Sequence, residues 1–365
     1  MKLTLMVKLV PTKEQYNSLL QTMEKFNEAC DCIAETAFEL KTANKVRLQK
    51  TIYRQTREKF GLSAQLTIRA ISKVSEAYKR DRSVRPTFKP HGAVVYDQRI
   101  LSWKGLDRVS ILTLQGRQLV PVRIGIYQEA RLDRIVRQTD LIYRDKTFYL
   151  AAIIDAPEPP ANNPDEFIGV DLGIKNIAAD SDGIIYSGGQ VNGLRKRHAK
   201  LRAKLQAKGT KSAKRLLKKR RRKEKRFATN TNHVISKKIV EKAKDTGRGI
   251  ALEDLKGIRS RMTVRKGQRR QQHSWAFSQL RSFIEYKAKL AGVLIKLINP
   301  RNTSRICPIC GCTDKRNRIS QAIFKCVSCD YSANADTNAA ENISRAAVMQ
   351  PYVANTLCPA TSPAL

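Results

Sequence analysis

Apolar and polar residues alternate over residues 1–10 (Leu3, Leu5, Val7, Leu9), which predicts one strand. Pro11-Thr12 then opens a helix with Glu14 and Gln15 in its first turn. Tyr16, Leu19, Leu20, Met23, Phe26, Cys30, Ile33 and Ala37 follow at helical spacing. That stripe reads as core, so Cys30 and Cys32 read as packed thiols and not as ligands. Helices are expected over 45–60 and 63–80, separated by Gly61. After Arg82 the pattern changes. Pro86 and Pro90 break helix, and short β-rich runs follow at 93–96, 100–103, 109–114 and 119–124. A hairpin over 141–144 and 147–154 turns at Asp145-Lys146. Short strands at this spacing predict a small barrel or sandwich, which the first strand would complete with the helices as an insertion. The polar, proline-rich stretch 156–166 reads as a linker and marks the main domain boundary.

The second half is patterned differently. Strands are expected at 167–170, 176–179 and 184–187, with a turn at 180–183. Residues 195–226 are about half Lys and Arg, with Glu224 as the one acid, and Gly209-Thr210 breaks the run into two helices. A helix at 233–244, a strand at 250–252, a basic loop at 259–270, a helix at 274–290 and a strand at 293–298 complete the pattern up to a cysteine-rich stretch. A last helix begins near Asp336, and the chain from Met349 on, including Cys358, reads as a disordered tail.

Charge narrows the function. The chain has 365 residues and a formal net charge of +38, from 70 Lys+Arg against 32 Asp+Glu. Such a field destabilises a compact protein unless a polyanion neutralises it, so nucleic acid is the expected partner. The basic run at 195–226 is expected to touch its backbone; a solvated or disordered arm is the alternative. An anionic membrane is the competing partner, but no apolar run is long enough to span one, and the N-terminus lacks a signal-peptide pattern. The expected location is the cytoplasm, in association with the nucleoid. Eight cysteines in a chain this long fit a reducing compartment. Aromatic content is only 6%, which leaves Trp103, Trp275 and Tyr331 as weak stacking candidates.

Two constellations carry chemistry. Cys307 and Cys310 form one Cys-x-x-Cys knuckle, and Cys326 and Cys329 a second, at the spacing of a zinc ribbon. Four protein thiolates close a tetrahedral site, so Zn²⁺ there is expected to be structural; disulfides are the rival reading. Cys312 is a spare thiol. The second constellation is carboxylate. Asp171 ends the first strand of the second half, Glu253 ends the fourth, and Asp336 starts the last helix. In a ribonuclease H-like sheet the first and fourth strands are neighbours. Their acids would converge, and a crossing helix would add the third. Two Mg²⁺ or Mn²⁺ about 4 Å apart would relieve the repulsion and serve phosphodiester hydrolysis. Asp254 competes with Glu253, since alternation sends them to opposite faces. Asp180 and Asp182 read as turn formers.

Several segments together resemble the TnpB family, accessory nucleases of bacterial insertion sequences and ancestors of compact type V CRISPR effectors. They are Leu9-Val10-Pro11-Thr12-Lys13-Glu14-Gln15, Gly169-Val170-Asp171-Leu172-Gly173-Ile174-Lys175-Asn176, Leu252-Glu253-Asp254-Leu255, Thr303-Ser304-Arg305-Ile306-Cys307-Pro308-Ile309-Cys310-Gly311 and Ala335-Asp336-Thr337-Asn338-Ala339-Ala340-Glu341-Asn342-Ile343. The resemblance implies a multidomain α+β fold. A wedge-like β-barrel (1–10 and 82–155) would carry a helical recognition insertion (11–81). After the linker (156–166) would come a RuvC-like nuclease domain (167–300 and 331–347) with an inserted zinc ribbon (301–330) and a tail (348–365). It implies that Asp171, Glu253 and Asp336 form the catalytic triad. It implies RNA-guided DNA cleavage beside a short adjacent motif, a guide RNA from the end of the mobile element, and a monomer on that RNA. An RNA-guided repressor, a CRISPR-associated effector and a DNA transposase are the rivals. The departures are Cys312 and the unusually basic segment before Glu253.

Overall fold

The computed structural model describes residues 1–255 and 277–349. Two compact units are formed, Met1–Pro157 and Glu158–Leu365. The basic loop expected at 259–270, Trp275 and Cys358 lie outside the described residues.

The first unit runs β1 (Lys2–Leu9), α1 (Lys13–Glu39), α2 (Lys45–Phe60), α3 (Ala64–Arg80), β2 (Val94–Asp97), β3 (Leu101–Lys104), β4 (Arg108–Thr113), β5 (Gly116–Arg123), α4 (Ile126–Glu129), β6 (Ile135–Arg144) and β7 (Thr147–Asp155). Its sheet has the order β2-β6-β7-β1-β5-β4-β3. The first strand therefore lies in the middle of the sheet, antiparallel to β7 and β5. The two edges, β2 and β3, are joined by only residues 98–100, so the sheet curls into a nearly closed barrel. Leu5, Val7 and Leu9 point into one core with Leu19, Met23 and Phe26 of α1 and Leu66, Ile71 and Val74 of α3. Local sequence sets the helix ends. Thr12 and Gln15 make a capping box, Asn44 and Ser63 cap α2 and α3, and Gly61 ends α2 at φ +63°. Trp103 packs against this core, and its indole nitrogen is buried without a partner, which suits packing and not base stacking.

Two features depart from the pattern. β6 begins at Ile135, well before the expected 141, because polar Gln138, Thr139 and Asp140 mask it and a bulge shifts its register between Ile135 and Thr139. The short, exposed α4 has no apolar stripe to announce it.

The second unit contains β8 (Phe167–Asp171), β9 (Asn176–Asp180), β10 (Ile185–Ser187), α5 (Gly189–Lys208), α6 (Lys211–Asp245), β11 (Gly249–Glu253), α7 (Phe277–Ala291), β12 (Ile295–Ile298), β13 (Ile323–Lys325), β14 (Ser332–Asn334) and α8 (Ala335–Met349). Its main sheet has the order β10-β9-β8-β11-β12, with β11 parallel to both β8 and β12. Both faces of β8 and β11 are covered, which is why they read as unbroken apolar runs. Ile168, Val170, Ile250 and Leu252 face a core with Ile239 of α6 and Ile284 of α7. Phe167 and Ala251 face the opposite way, toward Ile343 and Ala347 of α8.

Gly209 and Thr210 end α5 and start α6 as expected. The separate helix expected at 233–244 is instead the continuation of α6, which runs unbroken over 35 residues. No Gly or Pro interrupts 227–232; Thr231 bonds back to the Phe227 carbonyl, and Asn232 bonds Gln279. The expected tail also starts too early: Val348 and Met349 are the last residues of α8. A cleft of about 670 Å³ between α5 and α6 is floored by Leu201, Leu205 and Leu217 and rimmed by Arg202, Lys218 and Arg220; none of the three carboxylates lines it. Among the described residues no helix is long and apolar enough to cross a membrane.

Candidate active site

Strand alternation assembles the site. Residues 167, 169 and 171 of β8 and 251 and 253 of β11 share the face covered by α8. Asp171 and Glu253 therefore end on that face, on adjacent parallel strands. Gly169 lets α8 approach: a Cβ there would meet the Ala340 carbonyl oxygen at 1.9 Å and the Ser344 nitrogen at 2.5 Å. Asn334 caps α8, accepting from the backbone N–H groups of Asp336 and Thr337, and so places Asp336 in the first turn.

The three carboxylates interact. Burial pushes the Asp171 carboxyl up to about 7, and the charges of Glu253 and Asp336 push the same way. Burial also raises Glu253, while the Thr303 hydroxyl, donating to it at 2.5 Å, and the charge of Arg318 hold it down. Asn176 donates to Asp336 at 2.8 Å, and Arg318 stands 3.6 Å from the same carboxylate. All three acids are half-buried and their oxygens do not all come within 4.8 Å of one another, but hard oxygen donors of this kind suit Mg²⁺ or Mn²⁺.

The competing acids are engaged elsewhere. Asp254 pairs with Arg281 of α7 at 2.8 Å. Asp180 accepts from the N–H groups of Asp182 and Ile184, as a turn former does, and also binds Lys242 of α6. Asp182 takes both Lys242 and Arg248.

The cysteines form the second cluster. The ligating atoms of Cys307, Cys310, Cys326 and Cys329 all lie within 4.8 Å of one another, the one such group among the described residues. Cys307 and Cys329 are 3.6 Å apart and Cys310 and Cys326 3.5 Å. Zn–S bonds of about 2.3 Å in a tetrahedron need sulfurs about 3.8 Å apart, so the four fit Zn²⁺. Although burial opposes it, the backbone N–H groups of Cys329 and Ser328 help bring Cys326 down to about 6, toward the thiolate. Tyr331 packs beside this cluster with Phe324.

Thr303, Asn176 and Arg318 had no assigned place at the site in the sequence. Thr303 and Asn176 sit inside the conspicuous segments quoted above, which was their only signal; Arg318 belongs to a basic run like many others.

Residues 149–257 match a family model described as "Probable transposase", and residues 277–343 one described as "Cas12f1-like, TNB domain". A CRISPR-associated endodeoxyribonuclease Cas12f1 of Sulfoacidibacillus thermotolerans is 47% identical over 118 residues, 32% of this chain and 26% of that protein. A TnpB-like protein of Methanocaldococcus jannaschii is 38% identical over 149 residues, 40% of this chain and 52% of that one. The "Putative RNA-guided DNA endonuclease InsQ" of Escherichia coli is 29% identical over 202 residues, half of each chain. The chain thus spans between about a quarter and about half of the length of these relatives. Among solved structures, a mini-RNA-guided endonuclease, CRISPR-Cas phi3, shares the fold with a TM-score of 0.56 at 10% identity, over 96% of this chain and 93% of that one.

Proposed function

We propose, from the premise that this chain is a member of the TnpB family, that it is an RNA-guided DNA endonuclease of an insertion sequence. The observation that carries the reading is the convergence of Asp171, Glu253 and Asp336, with the Asp171 carboxyl raised by burial and by the other two charges. The relatives' names support it: one is called an endodeoxyribonuclease and another a putative RNA-guided DNA endonuclease.

In this reading the second unit is a RuvC-like nuclease domain with an inserted zinc ribbon. Asp171, Glu253 and Asp336 are the catalytic residues and hold two Mg²⁺ or Mn²⁺. Such ions, held by these three carboxylates, would supply positive charge beside a scissile phosphate and would lower the pKa of a water for phosphodiester hydrolysis. Thr303 and Asn176 fix the orientations of Glu253 and Asp336. Arg318 opposes the upward shift of Asp171 and Glu253 and adds a cation at the phosphate's entry. Cys307, Cys310, Cys326 and Cys329 hold Zn²⁺, which fixes the segment that carries Arg318. The barrel and α1–α3 hold guide RNA and read a short motif beside the target, and the α5–α6 hairpin tracks nucleic-acid backbone without reading sequence. The working particle is one chain on one RNA, in the cytoplasm near the nucleoid.

The test begins by co-expressing the chain with its native flanking DNA and sequencing the RNA it retains. The complex then meets a plasmid library with the matching target beside randomised sequence, in Mg²⁺. Linear product that needs RNA, Mg²⁺ and Asp171 is expected, with Asp171→Ala inactive. Guided binding without cutting would replace the nuclease by a repressor. Absence of any retained or effective RNA would return the transposase reading.

A further inference from the structure

The helix that carries Asp336 also carries two buried amides one turn apart, Asn338 and Asn342, at 1% and 7% exposure. The rest of its packed face is Ala335, Ala339, Ala340, Ile343 and Ala347. A buried amide costs stability unless it is hydrogen-bonded, so its partners matter. The Asn342 side chain donates to the Thr303 carbonyl at 2.8 Å and to the Ile306 carbonyl at 2.9 Å. Asn338 adds a longer bond, 3.2 Å, to the same Ile306 carbonyl. Both amides therefore hold one short loop, the turn that joins β12 to the first cysteine.

That loop presents a hydroxyl to the carboxylates. The carbonyl of Asn302, a residue at φ +65°, accepts from the N–H groups of Arg305 and Ile306 and closes the turn. Thr303 is buried in it, and its hydroxyl donates to Glu253 on β11. The Pro300 carbonyl, 3.2 Å from the same hydroxyl, is a competing acceptor. A hydroxyl has one proton to give. A loop released from α8 would let that proton turn to Pro300 and leave Glu253 without its donor. Asn342 thus fixes the backbone whose side chain fixes Glu253, and it does so from the helix that sets Asp336.

We propose that Asn342 is a positioning residue of the carboxylate centre: by holding the Thr303 carbonyl it aims the Thr303 hydroxyl at Glu253 and keeps that acid in register with Asp336. The consequence is that Asn342 governs divalent-cation binding although its own bonds go to backbone carbonyls. The proposal rests on the reading of the three acids as a Mg²⁺ site.

The test is Mg²⁺ titration at pH 8. Two quantities are read: the Mg²⁺ concentration at which thermal stabilisation of the full chain sets in, and the Mg²⁺ midpoint of single-turnover cleavage by the RNA-loaded complex. Asn342→Ala is expected to raise both about tenfold, the low end of what loss of an outer-shell partner costs, with the cleavage rate largely recovered at high Mg²⁺. Thr303→Val should raise both as well. Adding Asn342→Ala to Thr303→Val should raise them no further, because the two substitutions break the same link. Ile284→Val, a truncation in the core on the opposite face of the sheet, should lower stability and leave the Mg²⁺ requirement where it was. An Mg²⁺ requirement in Asn342→Ala no higher than in Ile284→Val would overturn the proposal and leave Asn342 a packing residue. Full additivity with Thr303→Val would overturn it too. If Asn342→Ala does not fold, Asn342→Ser, which keeps one donor on a shorter stem, is judged by the same criteria. Failure of Mg²⁺ to stabilise wild type would instead remove the metal reading of the site, and this proposal with it.

Discussion

At the scale of single residues, the site holds a cost that a metal ion would relieve. The Asp171 carboxyl sits near 7 in the folded chain against an ordinary 3.8, because of burial and then Glu253 and Asp336. Between those values the folded state keeps a proton that the unfolded state has released. Stability of the metal-free protein therefore falls as pH rises from about 4 to about 7, by at most about 4 kcal/mol. Asp171→Asn is expected to stabilise the magnesium-free protein at pH 8 and to change little near pH 4, measured by denaturant unfolding at both values. Added Mg²⁺ should stabilise wild type at pH 8 and not the variant. Thr303 acts through Glu253. Thr303→Val should lower cleavage about ten- to a hundredfold, with part of the loss recovered at high Mg²⁺. The three acids were legible in the sequence because each ends or begins a patterned element. Their supports were not. Asn176 lies 160 residues from Asp336, and Thr303 lies 50 from Glu253, so only folding reveals the pairs.

Elements show where sequence pattern suffices. Caps and periodicity gave α1, α2 and α3 nearly to the residue, since Thr12, Asn44, Gly61 and Ser63 act locally. Continuous apolar runs likewise marked β8 and β11 as strands buried on both faces. Pattern failed where tertiary partners decide. α6 carries through a Thr- and Asn-rich stretch because Gln279 of α7 holds Asn232. The polar first half of β6 is a strand because β7 and β2 pair with that strand. The crossing of β8 by α8 is the element-scale joint of the site. Gly169→Ala would drive a methyl into the α8 backbone. We expect overpacking of about 1–3 kcal/mol and loss of cleavage far beyond what that instability explains, because Asp336 moves with the helix. Thermal unfolding and single-turnover cleavage of the same preparation would check it. Full activity in Gly169→Ala would mean that the helix need not approach so closely.

For the whole molecule, charge is the dominant fact. A net +38 calls for a polyanion, and residues 195–226 of the long α5–α6 hairpin concentrate it where Glu224 is the one acid, pairing with Arg202 at 2.9 Å. Replacing Lys204, Lys208 and Lys211 by Gln should weaken RNA binding alike for all sequences. The slope of log K against log salt should fall by about one for each phosphate contact removed. An unchanged slope would place the backbone contacts elsewhere. The chain's long-range order was the least legible part. Nothing local says that the first strand enters the middle of the barrel, between β5 and β7. In the proposed function, three acids on one covered face form the nuclease centre and their neighbour Asp254 does not. The most direct measurement is single-turnover cleavage of a matched target in Mg²⁺ by Asp171→Ala, Glu253→Ala, Asp336→Ala and Asp254→Ala complexes with equal RNA content. Background rates are expected for the first three and cleavage is expected to be retained in Asp254→Ala, whose native carboxylate binds Arg281 on the other side of the strand. Cleavage that survives loss of Asp171, Glu253 or Asp336 would contradict it.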